Sequence, residues 1–271
     1  MGLKDTQNDV WASGDSYEPY IGRWSRLVAQ EFIRWLALPQ RSRWLDAGSG
    51  TGALSMTILD MANPKKVKGI DRSESYVEFV RARINHPDAE FEVGNAQSLP
   101  VDSRTFDAAV SGLVLNFVPR PHQMISEMSR VVGDGGTVAL YVWDYAGSMQ
   151  MLRHFWNAAV ALDPAARDLD EGRRFPVCNP NSLMDLFQNA GLAQVQVRPI
   201  DILADFKNFD DYWTPFLGGQ GPAPGYVMSL NERRRSQLRE RIYNSLPFAL
   251  AGTIPLVLRA WAAKGIKSKR I

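Results

Sequence analysis

Short apolar segments alternate with longer amphipathic segments in the first half of the chain, at intervals of about 20 residues. The apolar segments have the length of buried strands, and the amphipathic segments have the repeat of helices. Strands are predicted over residues 43–46, 66–71, 90–93, 106–114 and 137–143. Helices are predicted over residues 28–38, 53–61, 74–84 and 122–132. Regular alternation of this kind is typical of a parallel α/β sheet.

The pattern is less regular beyond residue 145. Helices are predicted over residues 149–162 and 182–190, the second capped by Ser182, and residues 163–180 are predicted to be a loop. Strands are predicted over residues 195–200 and 254–262, separated by an insertion at residues 205–247. Aromatic residues in the insertion have helical spacing and could form either a core-facing stripe or the wall of a pocket. They are Phe206, Phe209, Trp213 and Phe216.

The composition narrows the chemistry. The 271 residues are 45% hydrophobic, and 31 basic against 29 acidic residues give a net charge of +2, which argues against binding nucleic acid through the whole chain. The single cysteine, Cys178, and three histidines without metal-binding spacing argue against a disulfide and a metal site. The first residues lack an apolar signal core, and no apolar run approaches the ~20 residues of a membrane span. We therefore expect a cytoplasmic protein with no metal and no membrane span.

A glycine-rich turn, Asp46-Ala47-Gly48-Ser49-Gly50-Thr51-Gly52, follows the first predicted strand and precedes a helix. Backbone N–H groups and the helix N-terminus can bind a polar or anionic ligand there. In one interpretation this is a dinucleotide fingerprint, with Asp71 on a ribose hydroxyl. In the other, the ligand carries an ammonium group, because a carboxylate at Asp46 would repel a pyrophosphate. A turn with a purely structural role is the third interpretation.

Five segments in order resemble the class I S-adenosylmethionine-dependent methyltransferases, in particular their small-molecule, UbiE-like or type 11 branch. They are Leu45-Asp46-Ala47-Gly48-Ser49-Gly50-Thr51-Gly52, Gly69-Ile70-Asp71, Gly94-Asn95-Ala96-Gln97-Ser98-Leu99-Pro100, Phe106-Asp107-Ala108-Ala109-Val110-Ser111 and Arg130-Val131-Val132-Gly133-Asp134-Gly135-Gly136. The resemblance covers roughly residues 20–145. It departs from the family at Asn95, where an aspartate is commoner. An asparagine can still accept from and donate to adenine, or it can simply form a turn.

The resemblance implies a Rossmann-like fold. We expect an α/β, doubly wound sheet of seven strands, mostly parallel, with one antiparallel strand near the C-terminus and a helical lid insertion. A single domain over residues 1–271 is predicted. Its parts are an N-terminal helical cap (1–40), a cofactor-binding half (41–145), helices with strand six (146–204), a lid (205–250), and a last strand with a tail (251–271).

The resemblance also implies S-adenosylmethionine as cofactor, with S-adenosylhomocysteine as product. In the N-terminal segment Tyr20 could face the sulfonium and Arg23 could pair with the cofactor carboxylate, although both could simply pack the cap; they are favoured over Tyr17. The remaining cofactor-binding candidates lie at the turn and at later strand ends. They are Asp46, Gly48, Ser49, Gly50, Gly52, Asp71, Arg72, Ser73, Asn95, Ala96, Gln97, Ser111 and Leu113.

A general base is less readable than the cofactor site. The candidates are Asp144 and Tyr145, just past the fifth strand, and His154 in the following helix. The resemblance implies methyl transfer to a small-molecule acceptor at oxygen, nitrogen or carbon. An RNA methyltransferase is the first alternative, because Arg233, Arg234 and Arg235 follow one another. An NAD-type oxidoreductase and a non-catalytic binder of the cofactor are the others, and both a monomer and a homodimer fit the sequence.

Overall fold

The computed structural model describes residues 18–219 and 221–268, so Tyr17 lies outside the described residues. Seven strands form one sheet in the order β3-β2-β1-β4-β5-β7-β6. The strands are β1 (Arg43–Ala47), β2 (Lys66–Asp71), β3 (Ala89–Val93), β4 (Phe106–Gly112), β5 (Val132–Trp143), β6 (Leu192–Phe206) and β7 (Ile254–Lys267).

Helices connect the strands, and they are numbered here in chain order. A short π-helix, Glu18–Gly22, leads directly into the first of them. The α-helices are α1 (Arg23–Leu36), α2 (Ala53–Ala62), α3 (Glu74–Arg83), α4 (Pro121–Val131), α5 (Gln150–Leu162), α6 (Glu171–Arg174), α7 (Pro180–Asn189), α8 (Phe209–Trp213), α9 (Pro222–Ser229) and α10 (Glu232–Ser245). Three 3-10 helices accompany them, Leu115–Phe117, Pro164–Asp168 and Thr214–Gly218.

The strand directions confirm the predicted fold class. Strands β1 to β5 pair in parallel, and β7 runs antiparallel to β5. The chain places β2 and β3 on one side of β1, and β4 and β5 on the other. The loops after β1 and β4 therefore leave in opposite directions, and a crevice opens at the carboxyl ends of these strands, where open α/β sheets bind their ligands.

Contacts divide the chain into two compact units. The first, called the sheet unit below, comprises residues 24–144, 175–202 and 259–271, of which those up to 268 are described. Its core is mainly aliphatic, because the central strands are apolar on both faces, as parallel strands must be when both faces are covered.

The second unit comprises residues 1–23, 145–174 and 203–258, described from residue 18 onward and without residue 220. It is called the aromatic unit below, because rings dominate its interior. Phe155 and Phe216 stack with centroids 4.7 Å apart, and Phe155 meets Trp156 edge-on at 5.0 Å. Tyr212 is fully buried and donates a hydrogen bond of 2.7 Å to the backbone carbonyl of Met151.

Several predicted elements differ from the observed ones. Strand β4 ends at Gly112, two residues early, because Leu113 adopts a positive φ of 62°, outside the extended conformation of a strand. Helix α7 is capped by Asn179, not by Ser182: the Asn179 side chain accepts from the Ser182 backbone N–H at 2.9 Å. The predicted loop at residues 163–180 contains a 3-10 helix and helix α6.

The aromatic stripe of the insertion is not on one helix. Phe206 ends β6, Phe209 and Trp213 lie on α8, and Phe216 lies on a 3-10 helix, yet all four are buried. Their shared burial therefore supports a core role in the aromatic unit. Over the described residues, none of the helices is long and apolar enough to cross a bilayer.

Candidate cofactor-binding and active site

The glycine-rich turn is fastened to the neighbouring strand by its own backbone. The N–H groups of Gly48 and Ser49 donate to the carbonyl of Ile70 at 2.7 and 3.1 Å. Gly48, Gly50 and Gly52 all have positive φ, at 82°, 50° and 86°, which side chains with a Cβ adopt only at a cost. The turn is therefore a rigid feature whose shape glycine makes accessible.

The three glycines have different surroundings. A Cβ on Gly48 would lie 2.6 Å from Cγ2 of Val114, and a Cβ on Gly52 would lie 2.4 Å from Cγ2 of Val80. A Cβ on Gly50 would meet no atom within 4 Å. Gly48 and Gly52 thus allow close packing of the protein on itself, whereas Gly50 faces open space that a ligand can approach.

Asp71 ends β2 beside this open side of the turn. Its Oδ2 accepts from the Gly50 N–H at 2.9 Å, and its Oδ1 accepts from the Ser73 N–H at 2.9 Å. Two backbone donors fix the carboxylate and leave it further lone pairs, which suits recognition of a pair of hydroxyls. Arg72 is exposed, and Ser73 caps α3 by accepting from the Tyr76 N–H at 3.4 Å.

Asp46 is buried at the end of β1, with 1% of its surface exposed. Ser55 donates to its Oδ2 at 2.7 Å, but its Oδ1 and the nearby Ser49 hydroxyl have no hydrogen-bond partner among the described residues. Burial raises the pKa of Asp46 to about 7, and the charge of Asp71 adds to that rise. A cation at Oδ1 would stabilise the ionised carboxylate, so this position fits the ammonium group of an amino acid.

The third predicted segment, Asn95 to Gln97, forms a tight polar turn. The Oδ1 of Asn95 accepts from the Gln97 backbone N–H at 2.9 Å, so this oxygen already has a partner, and Asn95 is exposed. The Oε1 of Gln97 accepts from the Arg120 backbone N–H at 3.0 Å. Ala96 lies between them and is half-buried. The turn that the sequence analysis considered at Asn95 is present, and the side-chain nitrogen of Asn95 is the atom that remains for a ligand.

The carboxyl end of β4 lies against the glycine turn. Ser111 is buried and donates to the backbone carbonyl of Ala47 at 2.7 Å, so its side chain holds β4 to β1. Leu113 is the strained residue at the strand end, and its N–H donates to the Tyr141 carbonyl at 2.8 Å. The backbone beyond Ser111 is therefore the part of this strand end that a ligand could contact.

Asn116 is a candidate that the sequence analysis did not select. It lies in the 3-10 helix after β4, two residues beyond Val114, which packs on Gly48. Both its amide nitrogen and its carbonyl oxygen are buried without a hydrogen-bond partner among the described residues. A buried amide in this state costs about 1–3 kcal/mol per unsatisfied group. The position of Asn116 after a strand end could be read from the sequence, but its burial could not.

Asp144 follows β5 and belongs to the sheet unit, where it is buried. Burial of the Cys178 thiol raises its pKa well above the usual range, and the charge of Asp144 raises it further. Cys178 is therefore held as a neutral thiol.

The other selected residues, Tyr20, Arg23, Tyr145 and His154, belong to the aromatic unit. Arg23 is ion-paired with Asp211 at 2.8 Å, and its guanidinium lies 5.0 Å from the ring centroid of Phe206. His154 lies 3.3 Å from the Ser245 hydroxyl through its Nδ1, and burial lowers the pKa of its imidazole. Tyr20 and Tyr145 are buried.

Within the sheet unit, then, the structure brings together the turn, Asp71 and the end of β4. A sheet whose order reverses between β1 and β4, a glycine turn after β1 and an acid at the end of β2 are features from which the sequence analysis expected a class I methyltransferase.

Comparisons with known proteins agree with this arrangement. Residues 45–140 match a family model described as "Methyltransferase domain". A demethylmenaquinone methyltransferase of Bacillus licheniformis is 28% identical over 183 residues, covering 62% of this chain and 77% of that protein. A 2-phytyl-1,4-naphtoquinone methyltransferase of Thermosynechococcus vestitus is 27% identical over 183 residues, covering 63% of this chain and 81% of that protein.

A solved structure shows the same fold. The YcgJ protein from Bacillus subtilis superposes with a TM-score of 0.60 at 16% identity, over 90% of this chain and 100% of that one. Residues 45–140 therefore form a methyltransferase domain, of the kind that uses S-adenosylmethionine.

Proposed function

We propose that this methyltransferase acts on a small acceptor with an aromatic or apolar body, at a hydroxyl, amine or carbon nucleophile. When bound, S-adenosylmethionine supplies an activated methyl group and leaves as S-adenosylhomocysteine. The task of the protein is then to hold both partners in line and to exclude water. A small-molecule acceptor and a cytoplasmic location belong to this proposal, and both a monomer and a homodimer are compatible with it.

The sheet unit supports cofactor binding through the residues of the glycine turn and its neighbours. Asp71 would accept the ribose hydroxyls, because two backbone N–H groups already orient its carboxylate. Asp46 would meet the ammonium group through Oδ1, and Gly50 would admit the ligand to the turn. Asn95 would donate its amide to the adenine ring. These roles follow from the partners that each group has and the ones it lacks.

One observation carries the acceptor class: four arginines of the aromatic unit, which could otherwise attract an anionic acceptor, are already ion-paired. Arg23, Arg153, Arg234 and Arg239 each pair with an aspartate. Guanidinium groups engaged in this way offer little to a polyanion. The names of two relatives contain the quinones of a naphthalene ring system, which is an apolar aromatic body of the expected kind.

The run of arginines on α10 was the reason to consider RNA. Arg235 donates to the backbone carbonyls of Val227 and Leu230, and Arg239 contacts Asp210 and the ring of Phe209. With the Arg234–Asp163 ion pair, two of the three arginines of the run therefore have partners within the aromatic unit. RNA remains an outcome of the test below and is not the function that we propose.

The proposal is tested first by binding. We expect S-adenosylhomocysteine to bind the purified chain, measured by calorimetry, and NADH not to bind; binding of NADH alone would contradict the cofactor assignment. Asp71→Asn should weaken S-adenosylhomocysteine at least about tenfold, because a charged hydrogen-bond acceptor is lost. Glu74→Gln, an exposed carboxylate on the next helix, is the matched control and should leave the affinity unchanged.

The acceptor is tested by transfer of a labelled methyl group. We expect transfer to 1,4-dihydroxynaphthalene and no transfer to bulk RNA. Transfer to RNA alone would replace the proposal by the RNA alternative. Cofactor binding without transfer to any acceptor in a broad panel of phenols and amines would favour a non-catalytic binder.

A further inference from the structure

A polar turn follows β3 in the sheet unit, next to the carboxylate that is the candidate for binding ribose. Val93, the last residue of β3, pairs with Asp71 at the end of β2, and the Gly94 N–H donates to the Asp71 backbone carbonyl at 2.9 Å. Neighbouring strands of a sheet lie about 5 Å apart. A base attached to a ribose at the Asp71 carboxylate can therefore reach residues 95–98, which we call the base turn.

Backbone donors fix the orientation of two side-chain amides in the base turn. The Oδ1 of Asn95 accepts from the Gln97 backbone N–H at 2.9 Å. The Oε1 of Gln97 accepts from the Arg120 backbone N–H at 3.0 Å. In a primary amide only the oxygen can accept from an N–H group, so neither amide can be rotated by half a turn without losing its hydrogen bond. The oxygens therefore face the protein's own donors.

The two amide nitrogens have the opposite status. The Nε2 of Gln97 lies 3.4 Å from the Asn95 Oδ1 and takes a second lone pair of that oxygen. The Nδ2 of Asn95 carries two hydrogens, and no partner for it lies among the described residues. The two amides thus offer a ligand donors and no free acceptor. Adenine has acceptors at its ring nitrogens but a donor at its exocyclic amine.

We infer that the base turn recognises a ring nitrogen of the cofactor's adenine through the Asn95 amide and does not recognise the exocyclic amine. This inference rests on the proposed function, because it takes S-adenosylmethionine to be the cofactor. An aspartate, the commoner residue at this position in the methyltransferases that the chain resembles, offers acceptors only and would bind the amine. With Asn95 in its place, the site binds a cofactor whose purine lacks the amine.

The test compares two ligands by calorimetry on the full chain. They are S-adenosylhomocysteine and its 6-deamino analogue, in which hydrogen replaces the exocyclic amine and all ring nitrogens remain. We expect the wild type to bind the two with dissociation constants within about threefold of each other. Asn95→Asp should bind the analogue about tenfold or more weakly than S-adenosylhomocysteine, because the analogue lacks the donor that a carboxylate needs.

The substitution changes the polarity of the base turn and keeps its shape. An aspartate side chain can still accept from the Gln97 N–H, as it does in turns of this kind. Asn63→Asp is the matched control: Asn63 is exposed and precedes β2, so the same charge is added at the end of that strand opposite to Asp71. The control should keep the wild-type ratio of the two dissociation constants. An equal change of the ratio in both variants would assign the effect to charge alone and overturn the inference.

Nuclear magnetic resonance observes the Asn95 amide directly and does not depend on turnover. Its side-chain N–H signals, identified by their loss in Asn95→Asp, should shift by similar amounts when either ligand is added to the wild type. Signals that do not move with S-adenosylhomocysteine, or a wild type that binds the analogue about tenfold more weakly, overturn the inference and leave the proposed function intact. A wild type that does not bind S-adenosylhomocysteine overturns the proposed function itself.

Discussion

The sheet unit and the aromatic unit hold their polar groups in different ways. In the sheet unit, backbone hydrogen bonds at strand ends fix the candidate site: Asp71 is held by the N–H groups of Gly50 and Ser73. In the aromatic unit, side chains hold one another, as in the Arg23–Asp211 ion pair. A backbone-built site follows from topology and glycine spacing, whereas a side-chain-built site depends on many residues at once. This difference explains why one unit carries a recognisable motif and the other does not.

Among the described residues, each unit nevertheless buries a carboxylate with a raised pKa, and this is the largest effect that we expect. The pKa rises from an ordinary 3.8 to about 7 for Asp46 and from 4.5 to about 7 for Glu171. Between those values the folded state binds more protons than the unfolded state. The free energy of unfolding should therefore fall as the pH rises from about 4 to 7 and then level off, by up to about 4 kcal/mol for each group.

Urea unfolding at pH 5 and pH 8 measures this effect. Asp46→Asn and Glu171→Gln should each lose less stability between the two pH values than the wild type does. Asp60→Asn, an exposed carboxylate on α2, is the control and should follow the wild type. A wild-type free energy that rises over this range would contradict both pKa shifts. If only one of the two variants loses less stability than the wild type, the two units differ in how they compensate a buried charge.

Glycine substitutions separate packing from ligand approach within the turn. Gly52→Ala places a methyl group 2.4 Å from Val80 at a φ of 86°, so the free energy of unfolding should fall by about 3 kcal/mol. Gly50→Ala meets no atom and should cost only about 1 kcal/mol, yet it should weaken S-adenosylhomocysteine about tenfold or more. Urea unfolding and calorimetry measure the two effects.

The aromatic unit supplies the control for this pair. Gly219 also has a positive φ, of 71°, and a Cβ there would come no closer than 3.7 Å to Met228. Gly219→Ala should therefore cost about 1 kcal/mol, as Gly50→Ala does, without changing the affinity for the cofactor product. Equal loss of affinity in both variants would mean that the turn does not approach the ligand at Gly50.

The same difference between the units decides what the sequence could predict. Strand β2 was predicted with its observed bounds, because its short segment contains a glycine and ends at an acidic residue, Asp71. Strand β6 was predicted over six residues but spans Leu192–Phe206. It lies at the end of the sheet order, where exposed polar residues such as Gln196 and Asp201 hide the strand pattern. Edge strands lack the continuous apolar run that marks central ones.

In the candidate site, the sequence could identify residue types but not their partners. The glycine turn and Asp71 follow from spacing alone, because topology places the ends of parallel strands at one edge. Outside the candidate site, the burial of Glu171 could not be foreseen, since α6 is only four residues long in a region rich in proline. Burial of this kind comes from tertiary packing against Trp156, more than ten positions earlier in the chain.

Asn116 provides the smallest effect, and it tests whether the sheet unit sacrifices stability for ligand contact. Asn116→Leu removes a buried amide that lacks partners, so the free energy of unfolding should rise by about 1 kcal/mol while methyl transfer slows. Asn179→Leu is the control, because its amide caps α7 at 2.9 Å and donates to the Pro176 carbonyl at 2.6 Å; it should lose about 1 kcal/mol. Urea unfolding compares the two. Destabilisation in both variants would show that the Asn116 amide serves the fold. A stabilised Asn116→Leu beside a destabilised Asn179→Leu would instead place Asn116 among the ligand-facing groups at the strand ends, next to the rigid glycine turn.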